Sequence, residues 1–535
     1  GALAGALDST DGADESSGSI AIGKSAGAGI TTGAGSVAVG YSALSTMTTV
    51  DGNTAVGYEA GKVTTGAANT YVGYQSGKGA SGADANNVGI GNSALAAITN
   101  AGRNVAIGRE CMAAMTGGGN NVAIGDQALD AAAVGESGNV AIGKDAMSVV
   151  DEGTAGGDAD LNVAIGYQAL LGGDFADNDR QLQGNIAIGA NALDGTGSSA
   201  QTGTIAIGHQ ALTALTTGEG NIAIGYQALD YESDGDQNTA VGYQALSGQG
   251  GGGDGVVGNT AVGYQAGLGI GSGLYNTAVG TLALKTDDDA DGNTAVGYQS
   301  LRDLNCNAGL SQNTALGYLS GYQMSTGEQN TAIGAASLSG AVCTGDNNVA
   351  TGYKAGYALT DGFANTAIGA YSLQSCNSPV GVVSVGYGAC GEADVTAAAI
   401  GAVAVGTSAL SELTSGAGNT AVGYQAGALS VTAANCTYIG SQAGANGTGG
   451  NNTAVGWRAG NDVTSGGNNT AVGSDSGGNA DVAVTGDNNT CVGYYAGHGF
   501  NGDPDDNTLI GKSAGATIAA GNNNTVIGSG ADVNS

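Results

Sequence analysis

Apolar and small residues along this chain recur in one short figure, of the form Ala-(Val/Ile)-Gly. Aligned on its Gly, the figure returns 29 times, from Gly23, Gly40 and Gly57 to Gly528, and fifteen of the 28 intervals are 17 residues. The residue before the Gly is β-branched in every copy but Leu316. Two places before the Gly, Ala dominates, as at Ala21, Ala55, Ala123, Ala240 and Ala421. Three places after it stands Ala or Ser, with Cys111 the exception, and four places before it Asn fills 23 of the 29 copies. β-branched residues suit a pleated, half-buried surface. Asn tolerates turns and left-handed backbone, and its amide can bond the same amide one repeat on. One repeat therefore predicts an Asn corner, a short strand, a Gly turn, a second short strand and a variable loop. The two small columns predict two places where backbone approaches backbone closely.

A unit of this length is too short for a propeller blade or a helix pair and fits one coil of a stacked array. The expected fold class is all-β, a parallel β-solenoid (β-roll) of about 29 short coils. It would form a single continuous array over residues 19–535, after an N-terminal extension or cap at residues 1–18. At about 4.8 Å per coil the array would span roughly 140 Å. Extra residues fall ahead of the Asn corner, with the longest loops around Asp151–Asn162 and Leu171–Asn185, where lengthening costs little. The position three before the Gly is mostly Thr from Thr239 onward. It shares strand parity with the β-branched column, so both are expected to point inward. An outward, flat Thr array, and with it ice binding, is then not expected.

Composition adds to this picture. With 104 Gly, 2 Pro, 3 Phe and 1 Trp, few large side chains exist to fill a broad globular core, yet the regular spacing argues against disorder. Twelve basic against 45 acidic residues give a net charge of −33, which predicts no nucleic-acid partner and an attraction for cations. No run of about 18 apolar residues occurs, so no membrane insertion is expected. The first residues, GALAGALDSTDG, lack the basic and apolar regions of a signal peptide.

From about Ser19 to the C-terminus the pattern N-(T/V/I)-A-(V/I)-G-x-x-(A/S) resembles the head repeat of YadA-like trimeric autotransporter adhesins, and similar repeats of phage and prophage tail fibres. The resemblance implies a left-handed parallel β-roll with three chains packed side by side. The coils here are longer than the usual head repeat, and many carry Tyr after the Gly. Seven residues follow Gly528, with no coiled-coil stalk, membrane anchor or tail-fibre chaperone domain. Since a solenoid exposes unpaired backbone at its ends, the expectation is a chain cut from a longer one or a head-to-tail filament.

Three groups of residues are candidates for chemistry. Tyr58, Tyr74, Tyr226, Tyr243, Tyr264, Tyr298 and Tyr424 follow a motif Gly, and Trp457 takes the same place. They predict an aromatic ladder, stacked between coils or packed at a chain–chain seam, with a sugar-binding stripe as the functional alternative. Acidic D-x-D-x-N corners stand at Asp158-Asp160-Asn162, Asp234-Asp236-Asn238, Asp289-Asp291-Asn293 and Asp503-Asp505-Asn507, and Asp287 extends the third. Alternating oxygens on a tight turn suit Ca²⁺, the candidate cofactor, against the alternative of solvated Asx turns. The seven Cys form no CxxC and only two His exist, which excludes zinc-type spacing. Cys is expected mainly as a small buried residue. Cys376 and Cys390, at nearby phases of adjacent coils, are the disulfide candidates.

His209 and His498 lie far apart in the chain, and no catalytic residue is expected. The expected function is a non-enzymatic extracellular structural fibre, at a cell surface or on a virion, self-associating as a homotrimer or head to tail. The alternative is an adhesin head or tail-fibre shaft that binds a host glycan or receptor.

Overall fold

The structure, a computed structural model, describes residues 4–7, 18–79, 81–82, 85–132, 135–150, 158–173, 181–196, 201–250, 255–286, 289–306, 309–478 and 482–533. It is an all-β parallel solenoid in two compact units, Gly1–Ser272 and Gly273–Ser535. The first unit carries 14 coil strands, from Ser19–Ile22 to Thr260–Val262, and the second carries 15, from Thr277–Val279 to Thr525–Ile527. Within each unit the strands pair in parallel and in register, so that Ala106 lies opposite Ala123 and Ala295 opposite Ala315. Three pairs of two-residue strands, such as Gly235–Asp236 with Gly255–Val256, tie the longer loops of neighbouring coils together. Ala4–Leu7 pairs antiparallel with Ser19–Ile22, on the edge opposite Val37–Val39. The only helical turn among the described residues is Ala397–Ala399, and no helix there is long and apolar enough to cross a membrane.

The repeat columns explain the stacking. Within each unit a motif Gly sits where its backbone meets the next coil: at Gly108 (φ 144°) an added Cβ would lie 2.0 Å from the carbonyl oxygen of Gly125. Only a residue without a side chain fits there. The Asn column runs inside the corner. Asn162 Oδ1 accepts the backbone N–H of Asn185 at 3.0 Å and its side-chain amide at 3.2 Å, while Asn162 Nδ2 donates to Leu182 O. The expected amide-to-amide bond therefore forms, and a bond to backbone accompanies it. Each such buried group left unpaired would cost about 1–3 kcal/mol, so the column holds successive corners in register.

Two expectations are corrected. No second strand follows the Gly in the described coils. That segment is a run of turns, in which the residues two and four after the Gly take left-handed backbone, as Ser42 (φ 53°) and Leu44 (φ 47°) do. The alternation sends hydrogen bonds both ways along the stack. Ser42 N–H donates to Lys24 O one coil back (3.0 Å), and Leu44 N–H donates to Ala60 O one coil ahead (3.1 Å). It also turns Leu44, Leu95, Met112 and Leu129 fully into the core. Left-handed backbone costs such a residue about 1–2 kcal/mol, and burying the side chain returns about 1.5–3 kcal/mol, so burial narrowly wins.

The second correction concerns which way the strands face. In Val105–Ile107 the middle residue, Ala106, is buried, and Val105 and Ile107 are half-exposed. The same holds through both units, so the β-branched columns point outward and the Ala column inward. Where the opposite column carries Leu or Met, the inward strand position is mostly Ala, and Tyr71, Tyr438 and Leu509 take that position where Gly stands opposite. The outward array of Thr and Val that parity had excluded is therefore present, for example in Thr420–Val422 and Thr453–Val455.

Candidate functional site

Four surface features come out of this packing. The first is the outward sheet face. Each coil strand presents the side chains three before and one before the Gly. Ile90, Ile124, Ile224 and Val262 of the first unit, and Ile368, Val422 and Ile439 of the second, stay 37–41% exposed. With about 4.8 Å between strands and 3.3 Å per residue, 14 strands carry these Val, Ile and Thr side chains over roughly 450 Å². That lies within the range of about 300–600 Å² for the largest apolar patch on a typical monomer, a patch that is often functional. The β-branched column was visible in the sequence. Its direction was not.

The second is the aromatic column, which lies on the outside in short runs. Tyr41, Tyr58 and Tyr74 stack at 5.1 and 5.2 Å, and His209, Tyr226, Tyr243 and Tyr264 at 5.4, 5.1 and 5.4 Å. Tyr298 stacks on Tyr318 at 5.4 Å. The stacked ladder between coils is thus formed by Tyr58, Tyr74, Tyr226, Tyr243, Tyr264 and Tyr298. Tyr424 and Trp457 are about half exposed and belong to no stacked pair among the described residues. Ser441 occupies the coil between those two, and Arg458 lies over the Trp457 ring at 5.3 Å. His209 continues the column as a flat ring, and Tyr322 and Tyr357, five places after the Gly, form a second tyrosine column that the Gly-following pattern does not reveal. The spacing Tyr318-x₃-Tyr322 and Tyr353-x₃-Tyr357 was the available signal.

The third is the acidic corner. In each D-x-D-x-N the second Asp has a task inside the fold: it accepts a backbone N–H of the coil before. Asp160 takes that of Ser137, Asp236 that of Glu219 (2.8 Å), Asp291 that of Leu274 (2.7 Å) and Asp505 that of Asp487 (2.8 Å). The residue between the two acids gives its carbonyl to the Asn of the preceding coil, as Gly235 does for Asn221 and Ala290 for Asn276. Asn162, Asn238, Asn293 and Asn507 sit in the buried Asn column. The first acids do less. Asp158 accepts from Gln183 at 3.2 Å, Asp234 from the Ser233 hydroxyl at 3.2 Å, Asp503 from the Thr485 hydroxyl at 3.4 Å, and Asp289 is exposed. Asp287 lies outside the described residues. Among the described residues no three acidic, His or Cys side chains converge on a point.

The fourth is the set of thiols. All seven are buried, and no disulfide joins any two of them among the described residues. Cys376 and Cys390 are not joined: Cys376 Sγ donates to the Cys390 carbonyl at 3.1 Å, because the cysteine side chains fill separate core positions in successive coils. Burial pushes the Cys111, Cys390 and Cys491 thiols up to about 12 and Cys343 up to about 11. None of these four is a thiolate nucleophile near neutral pH.

Charge otherwise binds coils locally. Glu59 meets Lys62 at 2.8 Å and Lys78, one coil on, at 3.1 Å, and accepts from Gln75. The two lysines hold its carboxyl at about 2. Asp230 is the opposite case, its carboxyl raised by burial to about 6. No family model matches this chain, and no curated protein matches it.

Proposed function

We propose that the chain is a non-enzymatic, extracellular structural fibre protein whose copies pack side by side through the outward sheet face. The observation that carries this reading is the stripe of half-exposed Val, Ile and Thr, which repeats at strand spacing through each unit. An exposed apolar stripe on a soluble chain calls for cover, and a second copy offers the same flat face with the same spacing. The resemblance of the repeat to trimeric adhesin heads and tail-fibre shafts supports three copies. Acidic corners on the sides keep such an assembly soluble. The adhesin or tail-fibre alternative, in which the same assembly displays a receptor-binding surface, keeps the packing and adds a ligand.

Electron microscopy of the purified full chain, with Ca²⁺ and with a chelator, tests the reading. Multi-chain particles or filaments in both conditions support it. Assembly only with Ca²⁺ shifts the contact to the acidic corners. Single chains throughout overturn it, and if those chains also lower the freezing point of water beyond their molar concentration, the Thr–Val face orders ice instead.

A further inference from the structure

A cleft of about 410 Å³ opens on the second unit, where the aromatic columns skip one coil. The coil of Gly317 carries Tyr318 and Tyr322, and the coil of Gly352 carries Tyr353 and Tyr357. At the same two positions the coil between them has Ala335 and Ser339. Where no coil is skipped, successive rings stack at 5.4 Å, as Tyr298 and Tyr318 do. Skipping one coil sets the two tyrosine-bearing coils roughly 10 Å apart, which leaves space for one ring between them. Tyr318 and Tyr353 are 57% and 45% exposed, so their surfaces are available. The volume lies within the range of about 300–1,000 Å³ typical of small-molecule sites.

The polar groups of the cleft have a sign. Lys354 Nζ stands 5.5 Å from the Tyr353 ring centroid and 5.0 Å from that of Tyr357. It pairs with no carboxylate among the described residues. Arg302, the neighbouring cation, is already engaged by Asp303 at 2.8 Å and by the Tyr322 hydroxyl. This ammonium over two aromatic rings puts an uncompensated positive charge on the cleft wall of a chain whose net charge is −33. The surrounding negative charge is screened beyond about 8 Å at physiological ionic strength.

Aromatic faces take up the C–H face of a pyranose ring, and an unpaired ammonium takes a carboxylate through a charge-assisted hydrogen bond. We propose that this cleft binds a carboxylated pyranose, a sugar unit of the uronic-acid type, its ring between Tyr318 and Tyr353 and its carboxylate on Lys354. The cleft belongs to one chain, so it binds whether or not copies assemble.

The test is calorimetric titration of the full chain with tetragalacturonate and with the methyl ester of the same oligosaccharide. The acid binds, and the ester binds roughly tenfold more weakly, since it loses one charge-assisted bond. Lys354→Gln brings the acid down to the level of the ester. Ala335→Tyr completes the column as Tyr41, Tyr58 and Tyr74 do, keeps the thermal melt, and abolishes binding of both sugars. No binding to either sugar, equal binding of acid and ester, or unchanged binding by the Ala335→Tyr chain overturns the assignment.

Discussion

The acidic corner shows how a single residue type can carry two readings. D-x-D-x-N has the alternation of a cation loop, yet in the fold its second Asp closes a backbone N–H of the preceding coil. Asn522 does the same for Asp505 at 2.8 Å with a neutral amide, so the task needs an oxygen and not a charge. Asp236→Asn is therefore expected to leave stability unchanged, and Asp236→Ala to cost about 1 kcal/mol, read from urea midpoints without added metal. Equal losses in both variants would show that the carboxylate charge matters and bring the cation reading forward. Asp230 gives a pH signature. Its carboxyl is raised from 3.8 to about 6 in the folded chain. The folded state thus holds the proton more tightly, and stability falls as pH rises from about 4 to about 6. Asp230→Asn should raise the melting temperature at pH 7 and leave it unchanged below pH 4. A rise of equal size at both pH values would contradict the assignment. Glu59 has the opposite sign: its favourable contribution is complete above its ordinary value of 4.5 and is lost as pH falls through about 2.

At the scale of the coil, the period, the Asn corner, the strand and the Gly turn were all legible in the columns. The phase of the strand was not. A three-residue strand with β-branched residues on both flanks alternates equally well either way, and nothing in a period of two says which side is inside. What decides is the opposite wall, where left-handed Leu and Met fill the space and leave room for Ala. The second segment was missed for a related reason. Short alternating residues read as strand, and left-handed backbone at Leu44 or Leu95 has no sequence signature.

The exceptions show the wall directly. Tyr71 replaces the core Ala and is fully buried, and its own coil and the coil before it carry Gly77 and Gly61 where many others carry Leu. A Cβ on Gly77 would come within 2.4 Å of the Tyr71 ring. Tyr438 has the same arrangement with Gly427 and Gly444. Tyr71→Ala should cost about 3–5 kcal/mol through the void it leaves. Gly77→Leu alone should also be destabilising, by overpacking, and the double variant should recover most of both losses by restoring the ordinary Ala/Leu pair. Additive losses in a double-mutant cycle of denaturation midpoints would refute this coupling.

At the scale of the whole molecule, interior and exterior chemistry separate cleanly among the described residues. The thiols are inside: the native chain should leave all seven unreacted with a thiol reagent at pH 8 and yield all seven after unfolding. A fast-reacting Cys in the native chain would place that residue outside the core. The exterior carries stacked tyrosines, acidic corners and the apolar sheet face, and the account rests most heavily on the last. The role proposed for that face was legible only as a resemblance, since the direction of the Val and Ile columns follows from packing. The most direct test is the solution mass, by light scattering, of the full chain and of a chain carrying Val122→Lys and Ile124→Lys, two outward side chains of one strand flanking the buried Ala123. A multiple of the 50.9 kDa chain mass is expected for the first and a shift toward a single chain for the second, with the same circular dichroism. A single-chain mass for the unaltered protein, or an oligomer that the two lysines leave intact, would contradict it.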